Sequence, residues 1–203
     1  MINSKQLVTT LAFALCLAQS LAMADETRDK VAVCAGCHGP EGHSQVPDNP
    51  ILAAQHADYL VSSLQAYVSG QRDYGIMKTL AGRLSDGDMR DIAAYYAAQS
   101  PTRSEAKARG DAARGEARAA MCVACHGPGG HSVIPANPRL AGQHARYLSG
   151  ALAAYKSGAR NNPVMASMVA ALSEQDIEDI AAYFAAQAPQ AAGAAASAGG
   201  QPQ

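Results

Sequence analysis

Cys34-Ala35-Gly36-Cys37-His38 and, 88 residues further on, Cys122-Val123-Ala124-Cys125-His126 are the two stretches whose reading decides the fold. In each, two cysteines three apart share one helical turn, with a histidine directly after the second. C-x-x-C-H is the attachment signature of c-type haem: the thiols form thioethers with the two vinyl groups and the histidine faces the iron. A structural zinc site also uses C-x-x-C, but it needs two such pairs closing on one metal, and here each pair sits in its own repeat unit. A redox dithiol wants a βαβ context, and no alternating strand run flanks either motif. The two motifs therefore predict two covalently bound haem c groups, held by Cys34 and Cys37 and by Cys122 and Cys125, with His38 and His126 on the irons.

The spacing of 88 extends well beyond the motifs. Aligning Cys34 to Gln99 on Cys122 to Gln187 needs no gap and gives 36 identities in 66 pairs. A period that long is a duplicated domain rather than a solenoid unit. Apolar residues recur at three- and four-residue steps, as at Tyr59, Leu60, Leu64 and Tyr67, and again at Tyr147, Leu148, Leu152 and Tyr155, which is helical periodicity. Gly70 and Gly158 end these segments as C-caps do. Ser85-x-x-Asp88 and Ser173-x-x-Asp176 read as capping boxes opening the last helix of each copy. Each domain is therefore predicted to be small and all-α, the first over residues 25–101 and the second over residues 102–188, joined at Ser100-Pro101-Thr102.

An iron with one histidine needs its sixth position filled, and a duplicated site should fill it from aligned positions. Met77 aligns with Met165, and both are expected in a loop between two helices. Met168 lies close to Met165, but its counterpart is Leu80, which cannot bind iron, so Met165 is the expected ligand. His43 and His131 lie only five residues past the proximal histidine, too near to cross the ring. His56 and His144 have the reach, so bis-histidine ligation stands as the alternative. Otherwise those two are expected to be exposed polar groups on loops and helix starts. Histidine with methionine is the pattern of cytochromes c and raises the potential relative to bis-histidine.

The composition fits a chain filled by something other than its own side chains. Aromatics make up 5% of 203 residues, Trp is absent, and much of the 48% hydrophobic content is Ala, which buries little area. A porphyrin among three helices supplies the missing apolar volume, and without it each domain is expected to be largely unfolded. The formal net charge of −1 carries no nucleic-acid signature. Lys5, the short apolar run Leu7 to Leu17 and Ala22-Met23-Ala24 read as a cleavable signal peptide over residues 1–24, leaving no transmembrane anchor. Cys16 departs with it, so every remaining cysteine belongs to a pair. Residues 189–203, rich in Ala, Gly, Gln and Pro, are expected to be a disordered tail. Asp25 to Pro101 carries six basic against ten acidic residues and Thr102 to Gln203 nine against seven, an asymmetry that would orient docking on different partners.

With both haem motifs, both methionines and the segment Pro138 to Gln143 in view, the chain resembles the dihaem class I cytochromes c of the cytochrome c4 type, from about Val31 to Gln187. Ala54 stands where the second copy has Gly142, which puts the turn geometry of the first copy in question. The resemblance implies two tandem cytochrome c domains related by a pseudo-twofold axis. It also implies that the Pro50 and Pro138 carbonyls hold the His38 and His126 rings. The function it implies is a periplasmic, non-enzymatic electron carrier of a respiratory chain, taking electrons from a donor of the quinol–cytochrome c reductase type and passing them to a terminal oxidase or reductase. The alternative is the electron-accepting subunit of a dehydrogenase complex, such as a flavoprotein sulfide dehydrogenase.

Overall fold

The computed structural model describes residues 27–190. The leader expected over residues 1–24, with Cys16, and the part of the tail beyond Gln190 lie outside the described residues. In the first copy, α1 (residues 27–38), α2 (Ala57–Val68), α3 (Gly75–Ala81) and α4 (Asp86–Ala97) follow in order. The second contains α5 (Ala112–Ala119), α6 (Val123–His126), α7 (Ala145–Ser157), α8 (Pro163–Val169) and α9 (Glu174–Ala186). Among the described residues there is no strand, only an isolated antiparallel bridge between Arg72 and Arg160. None of these helices is long and apolar enough to cross a membrane.

Local chemistry accounts for the helix ends. Ser85 Oγ accepts from Asp88 N–H while Asp88 takes the Ser85 N–H, and Ser173 with Asp176 repeats this. Each box satisfies two of the four donors that a helix start leaves free. Gly158 closes α7 with φ +82°, and Gly70 follows α2 with φ +75°. The two methionines depart from expectation: Met77 lies inside α3 and Met165 inside α8, not in loops. Asn162 caps α8 by accepting from Met165 N–H at 3.0 Å, and Pro163 presets its first turn. Seven residues are too few for an apolar period to show in the sequence. The second haem motif departs from the first as well. α1 runs unbroken through Cys34 to His38, whereas α5 stops at Ala119 and Cys122 N–H reaches back only three residues, to Ala119 at 2.8 Å.

Each copy packs its last helix against the helix that follows the long loop, α2 on α4 and α7 on α9. Leu60, Ile92, Ala93 and Tyr96 form one core, and Leu148, Ile180, Ala181 and Phe184 the other. Burying a side chain such as Ile or Phe contributes about 1.5–3 kcal/mol, and the fully buried Ala93 and Ala181 let the helices approach. α5 crosses α9 at Gly115, where a Cβ would stand 1.9 Å from the Asp179 carbonyl oxygen, so only glycine fits. Ala54 adopts φ +57° beside the +73° of Gly142. The turn is thus kept in both copies, with the first accepting the left-handed strain of a Cβ.

The halves meet chiefly through contacts that occur twice, 88 residues apart. Asp73 N–H donates to Ala159 O at 2.8 Å and Asn161 N–H to Gln71 O at 2.6 Å, which centres the pairing on Arg72 and Arg160. Gln143 accepts from Ile51 N–H and donates to Ile51 O, both at 2.9 Å. Gln55 does the same for Arg139 N–H and O, at 2.9 and 3.0 Å. His56 Nε2 reaches Ser132 O at 2.8 Å, and His144 Nε2 reaches Ser44 O at 3.0 Å. This is the self-complementary pattern of a twofold interface, realised within one chain. It also corrects the expectation that both histidines are exposed: His144 is buried, His56 is half-buried, and each opens a helix while its ring crosses to the opposite half.

Two predictions come from this interface. Gln143→Ala strands the N–H and C=O of Ile51, each an unmet buried group costing about 1–3 kcal/mol. Thermal unfolding of the holoprotein should show that loss, and Gln143→Glu, which keeps only the acceptor, should recover part of it. The second prediction concerns pH. Burial holds His56 and His144 below the ordinary histidine value, against the pull of the Ser132 and Ser44 carbonyls; Arg139 lowers His56 further while Asp58 opposes. The folded value lies below the unfolded one, so the unfolded chain binds more protons. This contribution is therefore full above about pH 6.5 and lost as pH falls through the folded values. Melting temperature should fall between about pH 7.5 and 5, by about 2–4 °C per kcal/mol, and His144→Gln should reduce that drop.

Candidate functional site

One cavity of about 480 Å³ runs through both halves. Of the predicted site residues, Cys34, His38 and Met77 line it from the first copy, and Cys122, Cys125, His126 and Met165 from the second. Cys37 is exposed, three residues on from Cys34. Met168 joins Met165 on the wall, whereas Leu80, its counterpart, does not. His56 and His144 are not on the cavity wall and are occupied in the interface. None of the four cysteines is disulfide-bonded, and burial raises the Cys34 and Cys122 thiols above their ordinary value.

Helix ends and loops aim the two proximal histidines alike. His38 and His126 terminate α1 and α6 and are 7% and 8% exposed. The His38 Nδ1–H donates to Pro50 O at 2.9 Å and the His126 Nδ1–H to Pro138 O at 3.0 Å. A carbonyl can only accept, so the proton sits on Nδ1 and the Nε2 lone pair is left to bind metal, the outer-shell arrangement of a ligating histidine. Burial pushes both histidines below their ordinary value, with the carbonyls opposing. Asn49 and Asn137 complete each loop by donating to Cys37 O and Cys125 O, both at 2.9 Å.

Where the halves meet, the cavity carries a group of residues that the sequence reading used only as helical periodicity or passed over. Arg72 Nη2 donates to Tyr147 Oη at 3.1 Å and lies 4.6 Å from the centre of the Tyr67 ring. Arg160 mirrors it, with Tyr59 Oη at 2.9 Å and the Tyr155 ring at 4.6 Å. Among the described residues no Asp or Glu lines the cavity, so neither guanidinium meets a described carboxylate there. Burial opposes both charges, but the facing tyrosines outweigh it and hold the arginines above their ordinary value, while Tyr59 is brought down to about 8 against its own burial. The signal in the sequence was identity: Tyr59, Tyr67 and Arg72 recur unchanged as Tyr147, Tyr155 and Arg160.

These walls fit a haem with carboxylate side chains. They are chiefly apolar, each half offers a histidine with a free Nε2 and a methionine, and two cations, Arg160 buried and Arg72 half-buried, lack anions of their own among the described residues. The first half adds two hydroxyls, Ser63 Oγ and Tyr96 Oη, buried without a properly formed hydrogen bond. The looser approaches of Tyr59 to Ser63 and of Cys34 to Tyr96 do not meet the geometry of one.

Comparison with known proteins agrees with the site. The cytochrome c family model matches twice, over residues 29–99 and 112–187. A cytochrome c4 of Azotobacter vinelandii is 36% identical over 83% of this chain and 90% of its own. A thiosulfate dehydrogenase electron acceptor of Stutzerimonas stutzeri is 36% identical over 75% of this chain and 77% of its own. The crystal structure of reduced recombinant cytochrome c4 from Pseudomonas stutzeri superposes with a TM-score of 0.71 at 31% identity, covering 81% of this chain and 98% of that one. The chain belongs to the cytochrome c family, as a dihaem electron carrier of the cytochrome c4 kind with two covalently bound haem c groups.

Proposed function

We propose that this chain is exported to the periplasm, with residues 1–24 as its leader, and there relays single electrons between a donor of the quinol–cytochrome c reductase type and a terminal oxidase or reductase. The observation that carries the reading is the matched pair of histidines, His38 on Pro50 O and His126 on Pro138 O, opening with Met77 and Met165 onto one continuous cavity. Each haem iron supplies a one-electron Fe(III)/Fe(II) couple. Cys34 and Cys37, and Cys122 and Cys125, hold the two groups covalently. His38 with Met77, and His126 with Met165, would hold the two irons, and an iron held by such a matched pair would have no open position for a substrate, which supports a carrier rather than an enzyme. Arg72 and Arg160 would neutralise carboxylates of the bound groups. The apolar walls exclude water from the irons, favouring transfer without bound solvent.

The relative that accepts electrons from thiosulfate dehydrogenase supports a second reading, in which this chain is the accepting subunit of a dehydrogenase. Stable co-purification with a larger catalytic chain would favour it over the free carrier.

The test is spectroscopic. A pyridine haemochrome assay should return two c-type haems per chain, resistant to acid–acetone extraction; one haem, or extractable haem, would sink the reading. Met165→Ala should abolish the Met–iron(III) charge-transfer band of one haem and lower its potential, whereas Met168→Leu should leave both haems nearly unchanged. The double variant controls for Met168 moving onto the iron. Loss of the band in Met168→Leu alone would reverse the assignment.

A further inference from the structure

We propose that the Met77 segment of the first half opens far more readily than the Met165 segment of the second, and that the coordination position it vacates is a binding site for a small neutral nitrogen donor of the imidazole type. The proposal rests on the histidine–methionine reading above.

The two segments hang between equivalent anchors. Asp73 N–H on Ala159 O and Asn161 N–H on Gln71 O fix them on entry. Leu84 N–H on Ala81 O and Leu172 N–H on Val169 O, each at 3.1 Å, lead into the capping boxes on exit. Thr79 and Ser167 tie back to Gly75 O and Val164 O, so that bond does not separate the copies either. The cap, the first residue and the packing do. Asn162 caps α8 through Met165 N–H. Tyr74 has nearly the same backbone conformation (φ −159°, ψ 101° against φ −154°, ψ 114°) but makes no side-chain cap. Pro163 opens α8 and Gly75 opens α3, one with the most restricted backbone and the other with the freest. Packing does not demand that glycine: beyond its chain neighbours and its own helix backbone, a Cβ there would meet nothing within 4 Å. Val164, Met168 and Val169 of α8 line the cavity with Met165, whereas α3 reaches the wall through Met77 alone. Lys156 Nζ on α7 also donates to Leu172 O, and its counterpart on α2 is Val68, whose side chain has nothing to donate.

Each difference acts in one direction. A missing side-chain cap shifts the opening of a helix about fivefold. Proline where it fits restricts the unfolded chain, and glycine frees it. With the apolar contacts of Met168 and Val169 and the Lys156 bond added, the Met77 segment opens about 10- to 100-fold more often than the Met165 segment. Such local opening needs no global unfolding, and the anchors at Asp73 and Leu84 hold the segment at both ends. The exchange breaks the bond from the Met77 sulfur to iron and forms one from the incoming nitrogen, with no change in oxidation state. The walls select the occupant. They are chiefly apolar, and Arg72 and Arg160 would be engaged by haem carboxylates, so an ion would enter only by losing its hydration. Neutral imidazole loses little on entry and offers the same type of donor atom as His38.

The probe is imidazole, titrated into the oxidised holoprotein at neutral pH while the Met–iron(III) charge-transfer band is followed. The band should fall in two steps, the first at an imidazole concentration about tenfold or more below the second. Met77→Ala should remove the early step and Met165→Ala the late one. Amide hydrogen exchange of the holoprotein, read by mass spectrometry, should run about tenfold or more faster over residues 74–83 than over residues 162–171. Tyr74→Asn combined with Gly75→Pro should weaken the early step by about fivefold or more and slow exchange there. If that double variant fails to carry haem, Tyr74→Asn alone gives the same effect in part. Asn162→Tyr with Pro163→Gly should bring the late step toward the early one. Absence of the band before any imidazole is added would sink the histidine–methionine reading and this proposal with it. A band that is present but falls in one step would overturn the proposal alone. So would tighter binding at the second haem, or unequal exchange without unequal binding.

Discussion

Two guanidinium groups, Arg72 half-buried and Arg160 buried, stand opposite one another across the pseudo-twofold axis, each answered by tyrosines and, among the described residues, neither by an acid. An isolated buried charge is costly, and two of one sign are costlier, so the surrounding architecture is arranged around them. The backbone pairing at residues 71–73 and 159–161 fixes where they stand. Tyr59 and Tyr147 come from the helices of the opposite half, and Tyr67 and Tyr155 supply ring faces from their own. What they lack is negative charge, and a haem brings it as carboxylates. A bound haem would therefore serve as an electrostatic component of the contact between halves as well as the filling of each half.

That dependence explains the poverty of the core. Each cluster has only a few large side chains, chiefly Leu60, Ile92 and Tyr96 in one half and Leu148, Ile180 and Phe184 in the other. Helices α2 and α4, or α7 and α9, could not exclude water on this area alone. A covalently held porphyrin extends the apolar interior and cannot dissociate. The motif histidines, tied to Pro50 and Pro138, connect that interior to the long loops, whose regular structure is one short 3-10 turn each, Pro40–Gly42 and Pro128–Gly130.

The two motifs were readable because they are local. Five consecutive residues specify two thiols and a histidine on one turn, and an exact offset of 88 shows that the arrangement exists twice. The capping boxes at Ser85 and Ser173 were readable for the same reason, since a cap is a contact between residues three apart. The helices bearing Met77 and Met165 were not, because seven residues span too few turns to establish a period. The role of His56 and His144 was hidden more deeply. Their partners, Ser132 O and Ser44 O, are backbone atoms at least 76 residues away, and no side-chain pattern announces a carbonyl.

Duplication also left a record that separates inner from outer requirements. In a self-complementary interface every residue serves as both giver and receiver, so Gln55 holds Arg139 just as Gln143 holds Ile51. Only the glutamine must be kept, because the groups it grips are backbone, and residues 51 and 139 are free to differ as Ile and Arg. The same logic preserves His56 with His144, Tyr59 with Tyr147 and Arg72 with Arg160: altering one copy would break one of two linked contacts and leave its partner buried and unmet. Contacts that occur only once carry no such constraint: the Arg146–Asp48 pair between the halves has Asp58 and Ala136 at the matching positions. Identity across the repeat therefore marks the surfaces that meet each other, and divergence marks those free to meet something else.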